Sequence, residues 1–298
     1  MTRVFCAIDK NHKDYSVLYK ENFDARRIDK HVFSARRLPD KVHYRIVRCS
    51  RCNLVYSNPI LPPEKIEQLY KKSMFLYKEQ VNNIIATYDT YIKNALQFVK
   101  SKNNFLEIGC GNGFLLKKAQ EHGFKNAYGV EPSRDAVLKA DKRFRKNIVN
   151  NIFKPGLFRK NYFDMIAFFQ VLDHVIDPNQ FLRECHKILK PGGVVLAINH
   201  DVDSFISHLF GESCPIFDIE HVYLFNKHTI DLIFKKHNFK VLRIFNVKNT
   251  FALNYCLSYL PAPKSLKNFI LNLTDLIGIS NMKVRFKPGN LGIIAKKQ

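Results

Sequence analysis

Residues that could hold a ligand stand at the end of a short apolar run. Glu107 is followed by Gly109, Gly111 and Gly113 on alternate positions, and an apolar helical pattern begins at Phe114. Glycine allows positive φ and lets a ligand approach where a Cβ would collide, while the free N–H groups of the following helix face the same point. The stretch therefore predicts a buried strand, a ligand-binding turn and a helix N-terminus.

The spacing of the glycines decides which ligand is expected. In the dinucleotide pattern G-x-G-x-x-G the third glycine would fall on Phe114, but here it falls on Gly113. With Glu107 two residues before the first glycine, the stretch resembles the E/D-x-G-x-G-x-G motif of class I S-adenosylmethionine-dependent methyltransferases. This resemblance implies an α/β, Rossmann-like class I methyltransferase sheet, S-adenosylmethionine as cofactor, and methyl transfer as the reaction.

A second acid lies where an adenosine ligand would need one. An apolar strand at 127–130 ends in Glu131 and Pro132. Two carboxylate oxygens can accept hydrogen bonds from both hydroxyls of a ribose, so we expect Glu131 to hold the ribose. The alternative is a solvated acid that caps the helix predicted after Ser133.

The remaining cofactor contacts follow from the resemblance alone. Asn151 and Ile152 lie where the family holds the adenine. Residues 169–175 resemble a phrase of the family whose backbone lies under the methionine part, with Asp173 replacing the usual Glu. The resemblance extends over about 105–247 and includes the phrase LKPGG at 189–193. The expected cofactor-binding residues are Glu107, Gly109, Cys110, Gly111, Gly113, Glu131, Pro132, Asn151, Ile152, Gln170 and His174.

The elements that must position these residues alternate regularly. Strands are predicted at 105–110, 127–131, 148–153, 163–171, 194–200 and 241–247, and helices up to 122 and at 133–143, 179–189 and 229–237. This alternation predicts a mostly parallel sheet with helices on both faces. The resemblance adds a last, antiparallel strand at 290–296.

Three units are expected along the chain. Residues 1–60 form a small, polar, zinc-ribbon-like N-terminal lobe, 61–100 a helical cap, and 101–298 the cofactor-binding domain. Within that domain 201–226 is a lid insertion and 250–298 holds C-terminal helices and the last strand. Tyr70, Tyr77 and Tyr88 of the cap are possible substrate contacts, although aromatic residues at helical spacing are more often core.

The N-terminal lobe carries a candidate metal site. Cys49 and Cys52 stand on a predicted turn between two strands, and two thiolates on one tight loop can bind the same tetrahedral ion. The surrounding phrase is similar to one in methyltransferases that modify sugars, which often carry a second C-x-x-C; here Cys6 is present but Asp9 replaces its partner. Cys6, Cys49 and Cys52 with Asp9 or His12 could hold zinc, or the cysteines could only pack a hairpin.

A general base is expected if the acceptor is an oxygen or carbon atom. Histidine is the usual base near neutral pH, and the candidates are His174, His200, His208 and His221. The pair Glu220-His221 resembles one in the lid of sugar C-methyltransferases, so His221, oriented or charged by Glu220, is the predicted catalytic base. The alternative is a histidine bonded to backbone inside the lid.

Composition limits the partners. The net charge of +22 at pH 7 favours an acidic partner, such as nucleic acid, an anionic lipid surface or a phosphorylated substrate, or reflects a lysine-rich surface that serves solubility. Scattered cysteines argue against a secreted disulfide framework. Neither a membrane-spanning run nor an apolar leader is apparent, so a cytoplasmic location is expected. A basic amphipathic segment at 264–287 could lie on a membrane or pack in the core.

The family resemblance favours a small-molecule acceptor. We expect a nucleotide-linked sugar or a surface-polysaccharide precursor, whose diphosphate would complement the basic charge. An RNA-modifying methyltransferase that grips phosphates is the first alternative. A binding protein without catalysis is the second, and it is disfavoured because Glu107, the three glycines and Glu131 are all present.

Overall fold

A small antiparallel sheet forms the N-terminal lobe. The computed structural model describes residues 1–9, 14–23, 41–74, 81–258 and 263–298. The lobe contains β1 (Tyr15–Tyr19), β2 (Ile46–Cys49) and β3 (Val55–Ser57), and the C-x-x-C turn joins β2 to β3 as predicted. Two helices follow, α1 (Pro63–Lys72) and α2 (Val81–Leu96).

The central part of the chain alternates strand and helix. Its strands are β4 (Asn104–Ile108), β5 (Asn126–Val130), β6 (Ile148–Val149), β7 (Phe163–Phe169) and β8 (Leu189–His200). Its helices are α3 (Phe114–Glu121), α4 (Arg134–Leu138), α5 (Lys142–Arg145) and α6 (Pro178–Ile188). Every residue of β4 and β7 is buried, because helices cover both faces of a parallel sheet.

The rest of the chain completes this sheet. The insertion holds α7 (Phe205–Phe210), a 3₁₀ turn (Gly211–Ser213) and β9 (Tyr223–Leu224), and α8 (Lys227–Lys236) and β10 (Phe239–Asn246) follow. The C-terminal part holds β11 (Asn249–Ala252), α9 (Leu253–Ser258), α10 (Lys264–Leu276), β12 (Lys283–Phe286) and β13 (Asn290–Lys297).

The seven-stranded sheet has the order β10-β13-β8-β7-β4-β5-β6. Strands β6, β5, β4, β7 and β8 pair in parallel, whereas β13 is antiparallel to both β8 and β10. The predicted Rossmann-like sheet, mostly parallel with an antiparallel last strand, is confirmed. Within the described residues no helix has the length and apolar character needed to cross a bilayer.

Several predicted boundaries were wrong for local reasons. The helix expected at 133–143 is split, because Asp141 caps a second helix by accepting a hydrogen bond from the backbone N–H of Arg143. The strand expected at 148–153 ends at Val149, where the Asn150 amide donates to the backbone oxygen of Glu131. The strand expected at 194–200 begins five residues earlier, at Leu189, and so includes the LKPGG phrase.

The N-terminal lobe and the lid insertion share a sheet. Strand β9 of the insertion pairs with β3, so the four-stranded sheet has the order β1-β2-β3-β9. A single hydrophobic core also includes Cys6 and Tyr56 of the lobe and Leu106 of the central sheet. The division into three units stays a prediction, and this shared core ties the first unit to the third.

Candidate functional site

A cavity of about 590 Å³ lies at the carboxyl ends of β4, β5 and β7. Ligands of open α/β sheets bind at this edge, outside the strand ends. The structure places most of the predicted cofactor residues in the cavity wall, namely Glu107, Gly109, Cys110, Gly111, Glu131, Pro132, Ile152, Gln170 and His174.

The glycine turn brings backbone close to its neighbours. Gly109 has φ of +72°, and a Cβ there would lie 2.6 Å from Cγ2 of Val171. The N–H of Gly109 donates to the backbone oxygen of Val130 at 2.8 Å, which ties the turn to the end of β5. Only glycine satisfies both the left-handed backbone and the close approach.

Glu131 is buried and held by the backbone. Its Oε2 accepts from the N–H of Gly111 and its Oε1 from the N–H of Ser133, both at 2.8 Å. Burial raises the pKa of Glu131, and these two hydrogen bonds oppose the rise. A carboxylate has about four acceptor positions, so both oxygens can still accept from ligand hydroxyls. The helix cap that was the alternative role predicted for Glu131 is instead Ser133, whose hydroxyl accepts from the N–H of Ala136.

Glu107 supplies a second carboxyl group to the same wall. It is buried, and its Oε2 has no hydrogen-bond partner among the described residues. Burial, followed by the charge of Glu131, raises the pKa of Glu107 well above its usual range. An unpartnered buried carboxyl oxygen costs free energy, which a cationic or hydrogen-bond-donating ligand would recover.

Two predicted cofactor residues lie outside the wall. Gly113 precedes α3 with φ of +74°, and so shapes the turn without lining the cavity. Asn151 is likewise absent from the wall, and its side-chain oxygen accepts from the N–H of Ile152 at 2.9 Å. Ile152 and Phe153 form the wall there. The adenine contact of Asn151 stays a prediction.

The other end of the cavity collects polar groups from three distant segments. Tyr70 comes from α1, His174 from the turn after β7, and Glu220 from the insertion. The Tyr70 hydroxyl and His174 Nδ1 share a hydrogen bond of 3.0 Å. Burial, followed by the charge of Glu220, raises the pKa of Tyr70 well above its usual range, so the phenol keeps its proton. Tyr88 also lines the cavity, stacked on Phe169 with ring centroids 4.3 Å apart.

Behind His174 lies a network of histidines around the buried carboxylate of Asp173. His200 Nδ1 donates to Asp173 Oδ2 at 2.6 Å, and Asp173 Oδ1 lies 3.9 Å from His174 Nε2. Burial alone would raise the pKa of Asp173, but the hydrogen bond from His200 and the neighbouring histidines hold it well below its usual range. Burial lowers the pKa of His174, against the opposing charge of Asp173, so His174 is a neutral imidazole near pH 7.

His221, the predicted base, lies behind the ring of His174 and does not line the cavity. Its ring is 4.7 Å from that of His174 and 4.6 Å from that of His200 between centroids. Its Nδ1 donates to the backbone oxygen of Ile216 at 2.7 Å, as the backbone-bonded alternative predicted. Burial lowers the pKa of His221 well below its usual value. Glu220 lines the cavity and His221 does not, so the catalytic role of His221 stays a prediction.

The cysteines of the lobe come together as predicted. One possible ligand atom from each of Cys6, Asp9, Cys49 and Cys52 lies within 4.8 Å of the others. The Sγ atoms of Cys6 and Cys52 are 3.3 Å apart, and the Cys49 thiol donates to Asp9 Oδ2 at 2.9 Å. Three thiols and a carboxylate are a donor set that suits zinc. His12, the alternative fourth ligand, and Tyr77 lie outside the described residues.

Several wall residues were not expected from the sequence. Phe169 ends β7 and begins the phrase at 169–175, which could have suggested it. No sequence pattern singled out other wall residues such as Met74, Phe153, Lys154, Gln180 and Glu184.

Comparisons with known proteins agree with this geometry. The sequence profile of the family described as "Methyltransferase domain" matches residues 77–244, more than half of the chain. The chain belongs to this methyltransferase family. S-adenosylmethionine is the cofactor of the domain, and the unpartnered Glu107 oxygen and the two accepting oxygens of Glu131 suit its ammonium and ribose groups.

The chain is similar to curated methyltransferases over part of their length. A mitochondrial ubiquinone biosynthesis O-methyltransferase of Dictyostelium discoideum is 24% identical over 50% of this chain and 52% of its own. A ubiquinone biosynthesis O-methyltransferase of Caulobacter vibrioides is 30% identical over 30% of this chain and 38% of its own. The similarity thus spans about half or less of these relatives. A solved S-adenosylmethionine-dependent methyltransferase of Archaeoglobus fulgidus, 18% identical, aligns with 72% of this chain and 94% of its own at a TM-score of 0.47.

Proposed function

We propose that this protein transfers the methyl group of S-adenosylmethionine to a hydroxyl oxygen of a small acceptor. One observation carries the proposal: a single cavity joins the glycine turn, Glu107 and Glu131 to Tyr70, His174 and Glu220. A donor and an acceptor held in one cavity can meet in line, and such alignment supplies much of the rate in a two-substrate reaction.

The donor end of the cavity would bind and orient the cofactor. Bound S-adenosylmethionine supplies a sulfonium that is already activated for methyl transfer. Glu131 would accept hydrogen bonds from the ribose, and Glu107 would face the cationic amino-acid part. Phe169, Ile152 and Phe153 offer apolar surface that excludes water from the cleft.

The acceptor end supplies groups that can take a proton. His174 lines the cavity as a neutral imidazole and is the base that this geometry favours. Tyr70, which keeps its proton, would donate to the acceptor or hold the His174 ring. Glu220 and His221 remain the pair proposed from the sequence, and His221 would act through the His174 ring that it contacts.

The acceptor that we propose first is a sugar in a nucleotide-linked or glycan precursor. Its support is the resemblance of the cysteine lobe and of Glu220-His221 to sugar methyltransferases. The cavity wall carries Lys154 together with the acids Glu67, Glu107, Glu131, Asp177, Glu184 and Glu220. A diphosphate would therefore lie outside this acidic cavity, toward the basic surface, with only the sugar ring inside.

A phenolic quinone precursor is the second candidate. Two similar proteins are named ubiquinone biosynthesis O-methyltransferases, and the wall contains the stacked pair Tyr88 and Phe169, against which an aromatic ring could pack.

The experiment is methyl incorporation from labelled S-adenosylmethionine into two panels, nucleotide sugars and catechol-type phenols. Turnover of one panel identifies the acceptor class. Calorimetry with S-adenosylmethionine accompanies it. Cofactor binding without turnover of any hydroxyl compound would contradict transfer to oxygen, and the absence of cofactor binding would contradict the entire proposal.

We further propose that Cys6, Asp9, Cys49 and Cys52 hold a structural zinc ion. The ion would tie the N-terminal residues to the β2–β3 hairpin, whose sheet includes β9 of the lid. Metal analysis of protein purified without added zinc should give one zinc per chain, and Cys49→Ser should lose it while Cys185→Ser, a buried cysteine of α6, keeps it. Wild-type protein with no stoichiometric metal would leave hydrogen-bonded packing as the role of the cysteines.

A further inference from the structure

Exposed apolar side chains concentrate near the C-terminus. Among the described residues, half of the large apolar side chains that are exposed to solvent lie between 266 and 286. Five belong to α10 or follow it directly, namely Leu266, Phe269, Leu273, Leu276 and Ile277, and three more lie in the following segment, namely Ile279, Met282 and Phe286. We call these eight residues the C-terminal apolar patch. Single exposed apolar residues are ordinary, but a concentration of them along one helix face marks an interaction surface.

Helix α10 faces the solvent with its apolar side. At 100° per residue its five exposed apolar residues fall within an arc of about 100°. Phe269 is 64% exposed and Leu276 is 83% exposed, whereas the polar Thr274 is only 8% exposed. If the segment packed in the core, as the alternative prediction from the sequence had it, this apolar arc would face the protein interior. The helix instead packs with another side, and its most hydrophobic face is left without a partner within the described chain.

The charge around the patch indicates what could cover it. Lys283, Arg285 and Lys287 are exposed in and next to β12, between and beside patch residues. Residues 264–298 contain seven lysines and arginines but a single acid, Asp275. A second copy of this chain would bring the same basic residues against each other, and like charges at an interface cost free energy. A negatively charged and apolar partner satisfies both features.

We propose that the C-terminal apolar patch docks the protein on an anionic lipid bilayer. Helix α10 would lie in the plane of the interface, with Phe269 and Leu276 among the acyl chains and Lys283, Arg285 and Lys287 at the phosphate level. The bilayer is favoured over an acidic protein because the apolar arc is continuous along the helix and the segment that follows the helix carries exposed basic residues. This docking is independent of the acceptor, since none of the patch residues lines the cavity.

The test is co-sedimentation of the full chain with phosphatidylcholine vesicles that contain or lack phosphatidylglycerol. We expect binding to the anionic vesicles, weaker binding to the neutral ones, and loss of binding at high salt. Phe269→Glu and Leu276→Glu should each weaken the partition coefficient by about tenfold or more, because each removes a large apolar side chain from the contact. Replacing Lys283 or Lys287 by Gln should weaken it by about fivefold each.

Matched controls separate docking from general effects. Leu138→Glu changes an exposed leucine of α4, and Lys125→Gln changes an exposed lysine before β5; both should leave vesicle binding unchanged. Calorimetry with S-adenosylmethionine should give the wild-type affinity for Phe269→Glu and Leu276→Glu, which shows that they fold. The proposal would be overturned if Phe269→Glu and Leu276→Glu both bound vesicles as strongly as the wild type. The proposal would also be overturned if the wild type were a dimer in solution and Leu276→Glu a monomer, because the patch would then be a self-association interface.

Discussion

The two ends of the cavity are built in different ways. The donor end consists of one backbone turn and two acids, Glu107 and Glu131, which directly border that turn. The acceptor end joins Tyr70, His174 and Glu220, which come from a cap helix, a strand end and the lid insertion. The donor end is therefore fixed by local backbone geometry, whereas the acceptor end exists only after three distant segments have packed together.

This difference separates the effects expected from mutation. In the proposed reaction the groups at the donor end hold the cofactor in its ground state, so their loss should appear mainly in cofactor affinity or in the stability of the turn. Groups at the acceptor end border a network of histidines around the buried Asp173, so their loss should appear mainly in the rate. Four measurements test whether the two ends of the cavity act separately.

The largest effect is expected at His174. His174→Ala should lower kcat by about 10²–10⁴-fold, the usual contribution of a general base, because it removes the imidazole in the cavity wall. Steady-state rates measure the loss, and calorimetry should show S-adenosylmethionine affinity within about threefold of wild type, since the methionine contact expected here is made by backbone. His221→Gln, one ring further out, should lower kcat less. If His221→Gln has the larger effect, the base proposed from the sequence replaces His174.

The second effect concerns the stability of the glycine turn. Gly109→Ala places a Cβ 2.6 Å from Val171 at φ of +72°, and should lower the free energy of unfolding by about 2–4 kcal/mol through backbone strain and overpacking. Gly156→Ala is the matched control, because φ there is +90° but nothing lies within 4 Å of the new Cβ. It should cost only about 1–2 kcal/mol. Chemical denaturation measures both, and equal losses would mean that the close approach to Val171 contributes nothing.

The same difference explains which features the sequence could predict. The glycine turn, Glu131 and the order of strand and helix depend on residues close in sequence, and the sheet with its antiparallel β13 was predicted correctly. The antiparallel pairing of β11 with β12 was missed, because α9 and α10 lie between the two strands in the sequence and neither strand has a turn signal beside it. The pairing of β9 with β3 was missed because a two-residue strand has no periodicity.

The acceptor end marks the limit of prediction for the site. Glu220 and His221 are adjacent in sequence, yet only Glu220 lines the cavity. The hydrogen bond of His221 to Ile216, and its contacts with two other histidine rings, decide this orientation. Those partners come from tertiary packing, so the phrase that contains the pair could identify the segment but not the side chain that lines the cavity.

The third effect is a loss of cofactor affinity at Glu131. Glu131→Gln replaces the carboxylate that we propose accepts from the ribose hydroxyls by an amide. It should weaken S-adenosylmethionine binding by about 10–100-fold, the range for one or two hydrogen bonds to a charged group. Glu220→Gln is the matched control from the other end of the cavity, and should leave the affinity unchanged while lowering the rate. Calorimetry provides both values. Equal losses of affinity would show that the two ends do not act separately.

The smallest effect is a pH dependence of cofactor affinity that comes from Glu107. Burial and the charge of Glu131 raise the pKa of Glu107 well above its usual range, so part of the free protein carries a proton there. The cationic part of the cofactor favours the ionised carboxylate, so binding should release a proton, and affinity should rise with pH until the raised pKa is passed. For one proton the slope is at most about tenfold per pH unit.

Calorimetry in two buffers of different ionisation enthalpy, below about pH 7 where the cofactor amine keeps its charge, measures the released proton. Glu107→Gln should remove most of the pH dependence. A smaller slope that remains would come from Glu131, whose pKa burial also raises, so the double variant with Glu131→Gln should be flat. If wild-type binding releases no proton, Glu107 is already ionised in the free cavity. A cationic group of the protein would then have to stabilise its charge.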